Sequence, residues 1–284
     1  MAKQNSKEIF YHVGLGKTGT TYLQYRVFPK FKGVYYIQRT KYKKSFDIIR
    51  KTNYPRYLVS NEFDRQYPVE IRRIAGAFPD AKIIMVLRRQ DSWLASQYRR
   101  WVKNGYEYTF EQFIDLDNDG GEWKQKDAYF FPYIEMAEKL FSTKPLVLLY
   151  DDMRKDPISF FKRIADYVGA EFDPKEVSLK RVHTSYNEKQ LLFRRKWNRY
   201  FSGQWPESNN KVLAFLQNIF YVKPVRYGTL YLAKILPGSM KPDEVLTPES
   251  HLKRIREFYK EDWEKCVAYS REQEKELKNH KSKR

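Results

Sequence analysis

The chain has only one cysteine, Cys266, among its 284 residues. A single cysteine excludes an intrachain disulfide, argues against a cysteine-based zinc site and predicts a reducing compartment. The first ten residues, MAKQNSKEIF, lack the apolar core of a signal peptide, and no stretch is long and apolar enough to span a membrane. The sequence therefore predicts a cytoplasmic protein.

Acidic residues are scarce relative to basic ones: 35 Asp and Glu stand against 54 Lys and Arg, for a net charge of +19. Such an excess attracts anions, for example a ligand with phosphate or sulfate groups, an anionic glycan or a membrane surface. No nucleic-acid-binding motif is present and the basic residues are scattered among acidic ones, so a specific nucleic-acid partner is not expected. A weak, salt-sensitive affinity for polyanions is expected.

The chain shows no internal repeat and no low-complexity linker, which predicts one domain over residues 1–284. Strand and helix patterns alternate up to about residue 200. This alternation predicts an α/β fold with a mainly parallel central sheet and helices on both faces. The remainder predicts helices, with an insert at residues 201–249 and a last helix over residues 250–279. Five residues of that helix are expected to face inward: Leu252, Ile255, Phe258, Tyr259 and Trp263.

A glycine-rich turn joins the first predicted strand, residues 9–13, to a predicted helix over residues 20–28. The N–H groups that open a helix have no partner inside it, and the helix dipole places positive charge there. The turn is therefore expected to bind an oxyanion. Lys17 adds a cation, and three threonines add hydroxyl donors: Thr18, Thr20 and Thr21.

The turn is not the phosphate loop of nucleoside triphosphatases, because that motif needs glycine where this chain has Tyr11. The run GKTGTT, residues 16–21, instead resembles the 5′-phosphosulfate loop of the sulfotransferases that use 3′-phosphoadenosine-5′-phosphosulfate (PAPS). The resemblance implies a P-loop-like fold and donor binding by all six residues. They are Gly16, Lys17, Thr18, Gly19, Thr20 and Thr21.

A second segment resembles the same family. The apolar run KIIMVL, residues 82–87, predicts a strand covered on both faces, and a predicted helix over residues 91–103 follows it. Arg88 ends the strand, and Ser96 lies eight residues later on the helix. In sulfotransferases an arginine and a serine with this spacing hold the 3′-phosphate of the donor, and a guanidinium and a hydroxyl suit a phosphate. The resemblance therefore implies that Arg88 and Ser96 bind this phosphate.

Two later segments add to the resemblance. The run LVLLYDD, residues 146–152, predicts a strand followed by an acidic pair, as the sulfotransferases have. An acidic pair after a strand is also typical of magnesium-dependent P-loop kinases, which stay an alternative. The loop KRVHTSYN, residues 180–187, resembles a loop that bacterial sulfotransferases place over the donor. It implies donor contacts by Lys180, Arg181 and Ser185.

Sulfuryl transfer needs a cation for the leaving phosphate and a base for the proton of the acceptor. Lys17 is the candidate cation, and the resemblance implies no need for a metal ion. Glu62 is the candidate base, because it follows a predicted strand, as Lys17 and Arg88 do, and bacterial relatives have a glutamate in a similar place. The alternative for Glu62 is a salt bridge that orients Lys17 or an arginine. His12, which we expect in the core, and His183 are rival bases.

The sequence thus favours transfer of a sulfuryl group from PAPS to a hydroxyl or amine of a glycan, glycolipid or small metabolite, with 3′,5′-adenosine bisphosphate (PAP) as product. A magnesium-dependent P-loop kinase and a non-catalytic polyanion-binding module are the alternatives. Three segments are expected to form the acceptor site: residues 39–52, 106–129 and 201–249. Residues 212–240 predict an acceptor-side lid or a peripheral membrane contact, or else ordinary core helices, which we favour.

Overall fold

The computed structural model describes residues 7–179, 186–201, 210–235 and 245–282. Among these residues five strands form one sheet in the order β2-β3-β1-β4-β5, and every neighbouring pair is parallel. The strands are β1, Glu8–Gly14; β2, Tyr35–Ile37; β3, Arg56–Ser60; β4, Lys82–Leu87; and β5, Leu146–Leu149. The prediction of a parallel central sheet is confirmed.

Helices and loops connect the strands and form the remainder of the described chain. After β1 comes α1, Thr20–Tyr22, which continues as a π-helical turn, Leu23–Val27, and a 3₁₀ turn, Phe28–Lys30. The other α-helices are α2, Ser45–Lys51; α3, Tyr67–Ala77; α4, Gln90–Asn104; α5, Phe110–Phe113; α6, Phe131–Leu140; α7, Tyr150–Lys155; α8, Pro157–Val168; α9, Glu188–Asn198; α10, Lys211–Gln217; α11, Lys223–Ile235; α12, Glu249–Phe258; and α13, Lys260–Ser282. A second π-helical turn, Asn218–Val222, joins α10 to α11.

Helices cover both faces of the sheet, as predicted. Side chains alternate along a strand, so neighbouring residues of β1 face opposite layers. Phe10 packs against Tyr167 of α8, whereas Tyr11 packs against Phe46 of α2 and Phe78 at the end of α3. A strand between two such layers must be apolar on both faces, and this explains the continuous apolar run of β4.

Helix α8 shows how the local sequence fixes the ends of an element. The Asp156 side chain accepts a hydrogen bond from the Ser159 N–H at 3.0 Å, and Pro157 takes the first helical position, where a missing N–H removes no helical bond. Gly169 ends the helix with φ of 67°, which glycine adopts without strain. The apolar stripe of this helix is buried: Phe160, Phe161, Ile164, Ala165 and Val168.

Two helical predictions were wrong in detail. The segment after the glycine-rich turn is not one regular α-helix, because the Phe28 N–H donates to the Leu23 carbonyl five residues back and Pro29 has no N–H to donate. The last predicted helix is two helices, α12 and α13, which meet at Tyr259. Tyr259 is buried against Tyr129, whereas Phe258, expected to face inward, is exposed at this break.

The described residues form two compact units. The first comprises residues 7–89, 129–179 and 259–282 and contains the sheet. The second comprises residues 90–128, 186–201, 210–235 and 245–258 and is mostly helical. Within it α4 packs against α9 and α12: the Asn198 amide donates to the Val102 carbonyl at 2.9 Å, and the Arg256 guanidinium binds the Asp91 carboxylate at 2.8 Å. One domain over the whole chain stays a prediction.

Candidate functional site

Three neighbouring strands of the first unit end at the same edge of the sheet. β3, β1 and β4 are adjacent and parallel. The turn of residues 14–19 follows β1, Glu62 lies two residues after β3, and Arg88 directly follows β4. The carboxyl edge of parallel strands is where α/β proteins bind ligands. The structure therefore brings Lys17, Glu62 and Arg88 to one potential ligand-binding edge.

The turn after β1 follows an unusual backbone path. Three of its residues have positive φ: Gly14 at 94°, Lys17 at 66° and Gly19 at 83°. Leu15 anchors the turn, because its side chain is buried and its N–H donates to the Val86 carbonyl of β4 at 3.1 Å. A left-handed conformation is uncommon for lysine and costs on the order of 1 kcal/mol, so it persists only where the surroundings enforce it. Strain of this kind is typical of functional turns.

The three threonine hydroxyls of this segment have different surroundings. Thr18 is fully buried and donates to the Leu15 carbonyl at 2.6 Å, so its hydroxyl stabilises the turn by a hydrogen bond within it. The Thr20 hydroxyl donates to Glu62 Oε1 at 2.7 Å. Thr21 is exposed. Thr20 therefore links the start of the helical segment directly to the candidate base.

Glu62 is held by two partners, and its side chain is only 11% exposed. One carboxylate oxygen accepts from Thr20, and the other lies 3.4 Å from the Arg39 guanidinium. The Arg39 side chain is 50% exposed, and ion pairs with exposed partners contribute about 0–1 kcal/mol. Arg39 is thus the partner that the salt-bridge alternative for Glu62 requires, but this ion pair is weak.

Two further charged residues lie at this edge, Asp64 and Arg39. Asp64 was not among the predicted site residues, and Arg39 was included only as the first residue of the predicted acceptor segment, residues 39–52. Asp64 accepts the Gly16 N–H at 2.9 Å, and a β-carbon on Gly16 would lie 3.0 Å from both of its carboxylate oxygens. Residue 16 therefore packs best as glycine because of this close approach. Arg39 follows β2 by two residues. Both residues follow strand ends, as Lys17 does, but β2 has only three residues and gives no periodic signal in the sequence.

Arg88 and helix α7 support the turn from the side of β4 and β5. The Arg88 guanidinium donates to the Lys17 carbonyl at 3.3 Å and lies 4.9 Å from the centre of the Tyr150 ring. A β-carbon on Gly19 would lie 2.2 Å from Met153 Cε. The turn is thus packed closely against the first residues of α7, and Arg88 is oriented by an aromatic face.

His12 is a core residue. Its side chain is fully buried, Nδ1 lies 2.8 Å from the Ser60 hydroxyl, and its ring packs edge-on against Phe28. Burial lowers its pKa to about 3, so the imidazole is neutral near pH 7. These surroundings match the core role that we favoured over a catalytic one. The other rival base, His183, lies outside the described residues.

The acidic pair after β5 includes one residue, Asp152, that forms an ion pair within the first unit. Both Asp152 oxygens accept from the Arg271 guanidinium, at 2.6 and 2.7 Å, and Asp151 is exposed in the first turn of α7. Among the described residues no group of three or more His, Cys, Asp or Glu side chains could hold a metal ion. The acidic pair kept the kinase alternative open, and the structure shows that Asp152 of this pair binds Arg271.

The other predicted site residues belong to the second unit or fall outside the described residues. Ser96 is a partly buried residue of α4 in the second unit. Lys180, Arg181 and Ser185 lie outside the described residues. The predicted acceptor segment at residues 106–129 lines a cavity of about 730 Å³ within the second unit. Its walls include one lysine and three carboxylates, Lys124, Glu111, Asp115 and Glu122.

The residues at the sheet edge of the first unit fit a nucleotide phosphate. Lys17 lies in the turn, and Arg88 bonds to that turn. Glycine at positions 16 and 19 lets the turn pack closely against the side chains of Asp64 and Met153. The helical segment that begins at Thr20 presents the N–H groups of a helix start, which suit an anion.

The chain matches the sequence model described as "Sulfotransferase family" over residues 33–174. This match starts after the turn of residues 14–19, so the resemblance of the turn is separate evidence. Sulfotransferase 2A6 of Mus musculus is 26% identical over 151 residues, which are 51% of this chain and 49% of that protein. Flavonol 3-sulfotransferase of Flaveria bidentis is 32% identical over 106 residues, or 34% of this chain and 32% of that protein. The chain thus spans about half or less of the length of these two relatives.

Solved structures show weaker similarity. A sulfotransferase from Alicyclobacillus acidocaldarius has a TM-score of 0.48 and 17% identity, and the match covers 64% of this chain and 86% of that one. Mouse sulfotransferase SULT7A1 complexed with PAP has a TM-score of 0.40 and 17% identity, with 80% and 89% covered. These similarities are too weak to carry an argument about the site. The family match is sufficient by itself: because it covers half of the chain, the protein belongs to the sulfotransferase family.

Proposed function

We propose that this protein transfers a sulfuryl group from PAPS to a hydroxyl or amine group of an acceptor. One observation carries the proposal: the turn of residues 14–19 lies with Glu62 and Arg88 at one sheet edge of a sulfotransferase-family chain. PAPS supplies the sulfuryl group on a phosphate leaving group, and PAP is the product that remains.

Lys17 is proposed to stabilise the charge that develops on the leaving phosphate. A fixed cation beside the N–H groups of a helix start is effective because it needs no reorganisation during the reaction. The rest of the turn is proposed to bind the same phosphate. These residues are Gly16, Thr18, Gly19, Thr20 and Thr21. Because a sulfuryl group carries less charge than a phosphoryl group, we propose that no metal ion is required.

Arg88 is proposed to bind the 3′-phosphate of the donor. Its planar guanidinium can donate two parallel hydrogen bonds to phosphate oxygens, and the Tyr150 ring restricts its orientation. The roles of four further residues stay predictions from the family resemblance alone: Ser96, Lys180, Arg181 and Ser185.

Glu62 is proposed to take the proton of the acceptor as the new S–O or S–N bond forms. Its carboxylate is nearly buried, and the Thr20 hydroxyl and Arg39 hold it at the edge where Lys17 lies. A base must be fixed within hydrogen-bond reach of the proton it abstracts, and these two contacts fix it. The proposed acceptor is a hydroxylated glycan, glycolipid or small metabolite. The cytoplasm as compartment stays a prediction from the sequence.

Calorimetric titration with PAP, in buffer without magnesium, tests the donor site. The full chain is expected to bind PAP, and Lys17→Ala and Arg88→Ala should each weaken binding at least tenfold, or about 1.4 kcal/mol. Lys162→Ala, which changes an exposed lysine of α8, is the matched control and should bind normally. Unchanged affinity in both site variants, or binding only of ATP with magnesium, would contradict the proposal.

Release of PAP from PAPS over a panel of hydroxylated and amine acceptors tests turnover. Glu62→Gln should lower kcat at least 100-fold without weakening PAP binding, because general-base catalysis contributes roughly 10²–10⁴-fold. Arg39→Gln should have a much smaller effect. If both variants lower turnover alike, Glu62 acts only through the ion pair. Tight PAP binding without transfer to any acceptor would instead favour the non-catalytic module.

A further inference from the structure

The helical segment of residues 211–235 leaves large apolar side chains in solvent. It comprises α10, a π-helical turn and α11 without interruption. Phe220 is 75% exposed and Ile235 80% exposed. Five other apolar residues of the segment are also more than 45% exposed: Val212, Leu213, Phe215, Tyr231 and Leu232. The favoured prediction of ordinary core helices is wrong for these residues.

Only a narrow part of this segment is packed. Among its described side chains, Leu230 and Ala233 are the buried ones. They lie on α11, which packs against α9 of the same unit, and the Arg194 guanidinium of α9 donates to the Thr229 hydroxyl at 3.2 Å. The segment is thus attached along one side and leaves an extended apolar surface. Large exposed apolar surfaces are typical of sites that bind another protein or a membrane.

The charge of this segment is entirely positive. The sequence has no Asp or Glu between residues 208 and 242, and residues 211–235 include four basic residues: Lys211, Lys223, Arg226 and Lys234. Burial and the nearby charge of Arg226 lower the pKa of Lys103 and of Arg194, the latter to about 10. Arg194 is fully buried, and its Nε and one terminal nitrogen have no hydrogen-bond partner in the described part of the chain. Positive charge therefore accumulates here without local compensation.

We propose that the segment of residues 211–235 docks on an anionic lipid membrane, with its exposed apolar side chains at the headgroup boundary and its exposed lysines, Lys223 and Lys234, on the headgroups. An amphipathic helix with these two features lies in the plane of the interface. At about 1.5 Å per residue the segment presents a surface roughly 37 Å long. No helix in the described ranges is long and apolar enough to cross a membrane. A second copy of the chain is a poorer partner, because it would bring the same positive charges together.

Co-sedimentation of the full chain with vesicles tests this proposal, independently of sulfuryl transfer. Vesicles of phosphatidylcholine are compared with vesicles that also contain phosphatidylserine. We expect binding only to the anionic vesicles, and weaker binding in high salt. The paired substitution Phe220→Ser with Ile235→Ser, and the pair Lys223→Gln with Lys234→Gln, should each reduce the partition at least tenfold.

Matched controls separate docking from general adsorption of a basic chain. Val69→Ser removes an exposed apolar side chain from α3, and Lys139→Gln with Lys162→Gln removes two exposed lysines from the first unit. These variants should bind vesicles normally, and all variants should bind PAP as the parent does. Absence of binding to anionic vesicles, or equal losses in control and segment variants, would overturn the proposal. So would a dimer that the Phe220 and Ile235 changes dissociate without any vesicle binding.

Discussion

Replacing Gly19 with alanine should damage the turn of residues 14–19 for two separable reasons. At φ of 83°, a β-carbon is strained by about 1–2 kcal/mol. The same β-carbon would lie 2.2 Å from Met153 Cε and 3.3 Å from Tyr150 Cε2. The flexible Met153 side chain must then move, at a cost of about 1 kcal/mol. The sum is about 2–3 kcal/mol of stability.

Thermal unfolding of the single and double variants can separate the two contributions. Gly19→Ala should lower Tm by about 5–10 °C, because 1 kcal/mol corresponds to roughly 2–4 °C in a chain of this size. Met153→Ala removes the obstructing side chain, so the double variant should be less destabilised than the sum of the two single changes, by about 1 kcal/mol. The strain at φ should remain in the double variant.

Gly76→Ala is the matched control, because no atom lies within 4 Å of the position that its β-carbon would take on α3. Alanine in a helix interior is favoured over glycine by about 0.5–1 kcal/mol, so this variant should be at least as stable as the parent. Equal Tm values for Gly19→Ala and Gly76→Ala, or strict additivity with Met153→Ala, would refute this account of the turn.

Three further predictions concern the same unit. The pKa of His12 is about 3 when folded and 6.5 in the unfolded chain, so stability should fall below pH 6.5, by about 2 kcal/mol at pH 5; urea unfolding should show this loss in the parent and not in His12→Gln. Arg88→Lys should weaken PAP binding at least tenfold in calorimetry, whereas Tyr150→Phe, which keeps the aromatic face, should change it less than about twofold. Asp64→Asn should lower the free energy of unfolding by about 1–2 kcal/mol, whereas Asp47→Asn, at an exposed position, should not.

The sheet was predictable because its strands are buried on both faces. β4 and β5 appear in the sequence as continuous apolar runs, and helices must cover both sides of such strands. The edge that gathers Lys17, Glu62 and Arg88 was predictable for a related reason, since residues that follow parallel strands share one end of the sheet.

The contacts of the individual site residues were not predictable. Arg39 follows β2, which has only three residues and therefore too few positions for a periodic signal. Asp64 approaches Gly16 through a loop whose path depends on tertiary packing. The exposure of Phe220 and Ile235 was not predicted, because apolar residues at helical spacing form the same sequence pattern whether the protein core covers them or not. The spacing of apolar residues predicts which face of a helix is apolar, but it does not predict what covers that face.

The sheet edge that we propose binds phosphate also carries two carboxylates, Glu62 and Asp64. Their presence is consistent with the proposal, because a carboxylate can stabilise the turn and at the same time weaken phosphate binding. Asp64 stabilises the turn through the Gly16 N–H, but its negative charge opposes a bound phosphate. With Lys17, Arg39 and Arg88 set against Glu62 and Asp64, the net charge of these five side chains is +1, and Asp64→Asn raises it to +2. The loss of stability expected for this variant should therefore accompany tighter PAP binding with a steeper salt dependence. Weaker binding would show instead that the Asp64 charge is required to hold the turn in a phosphate-binding shape.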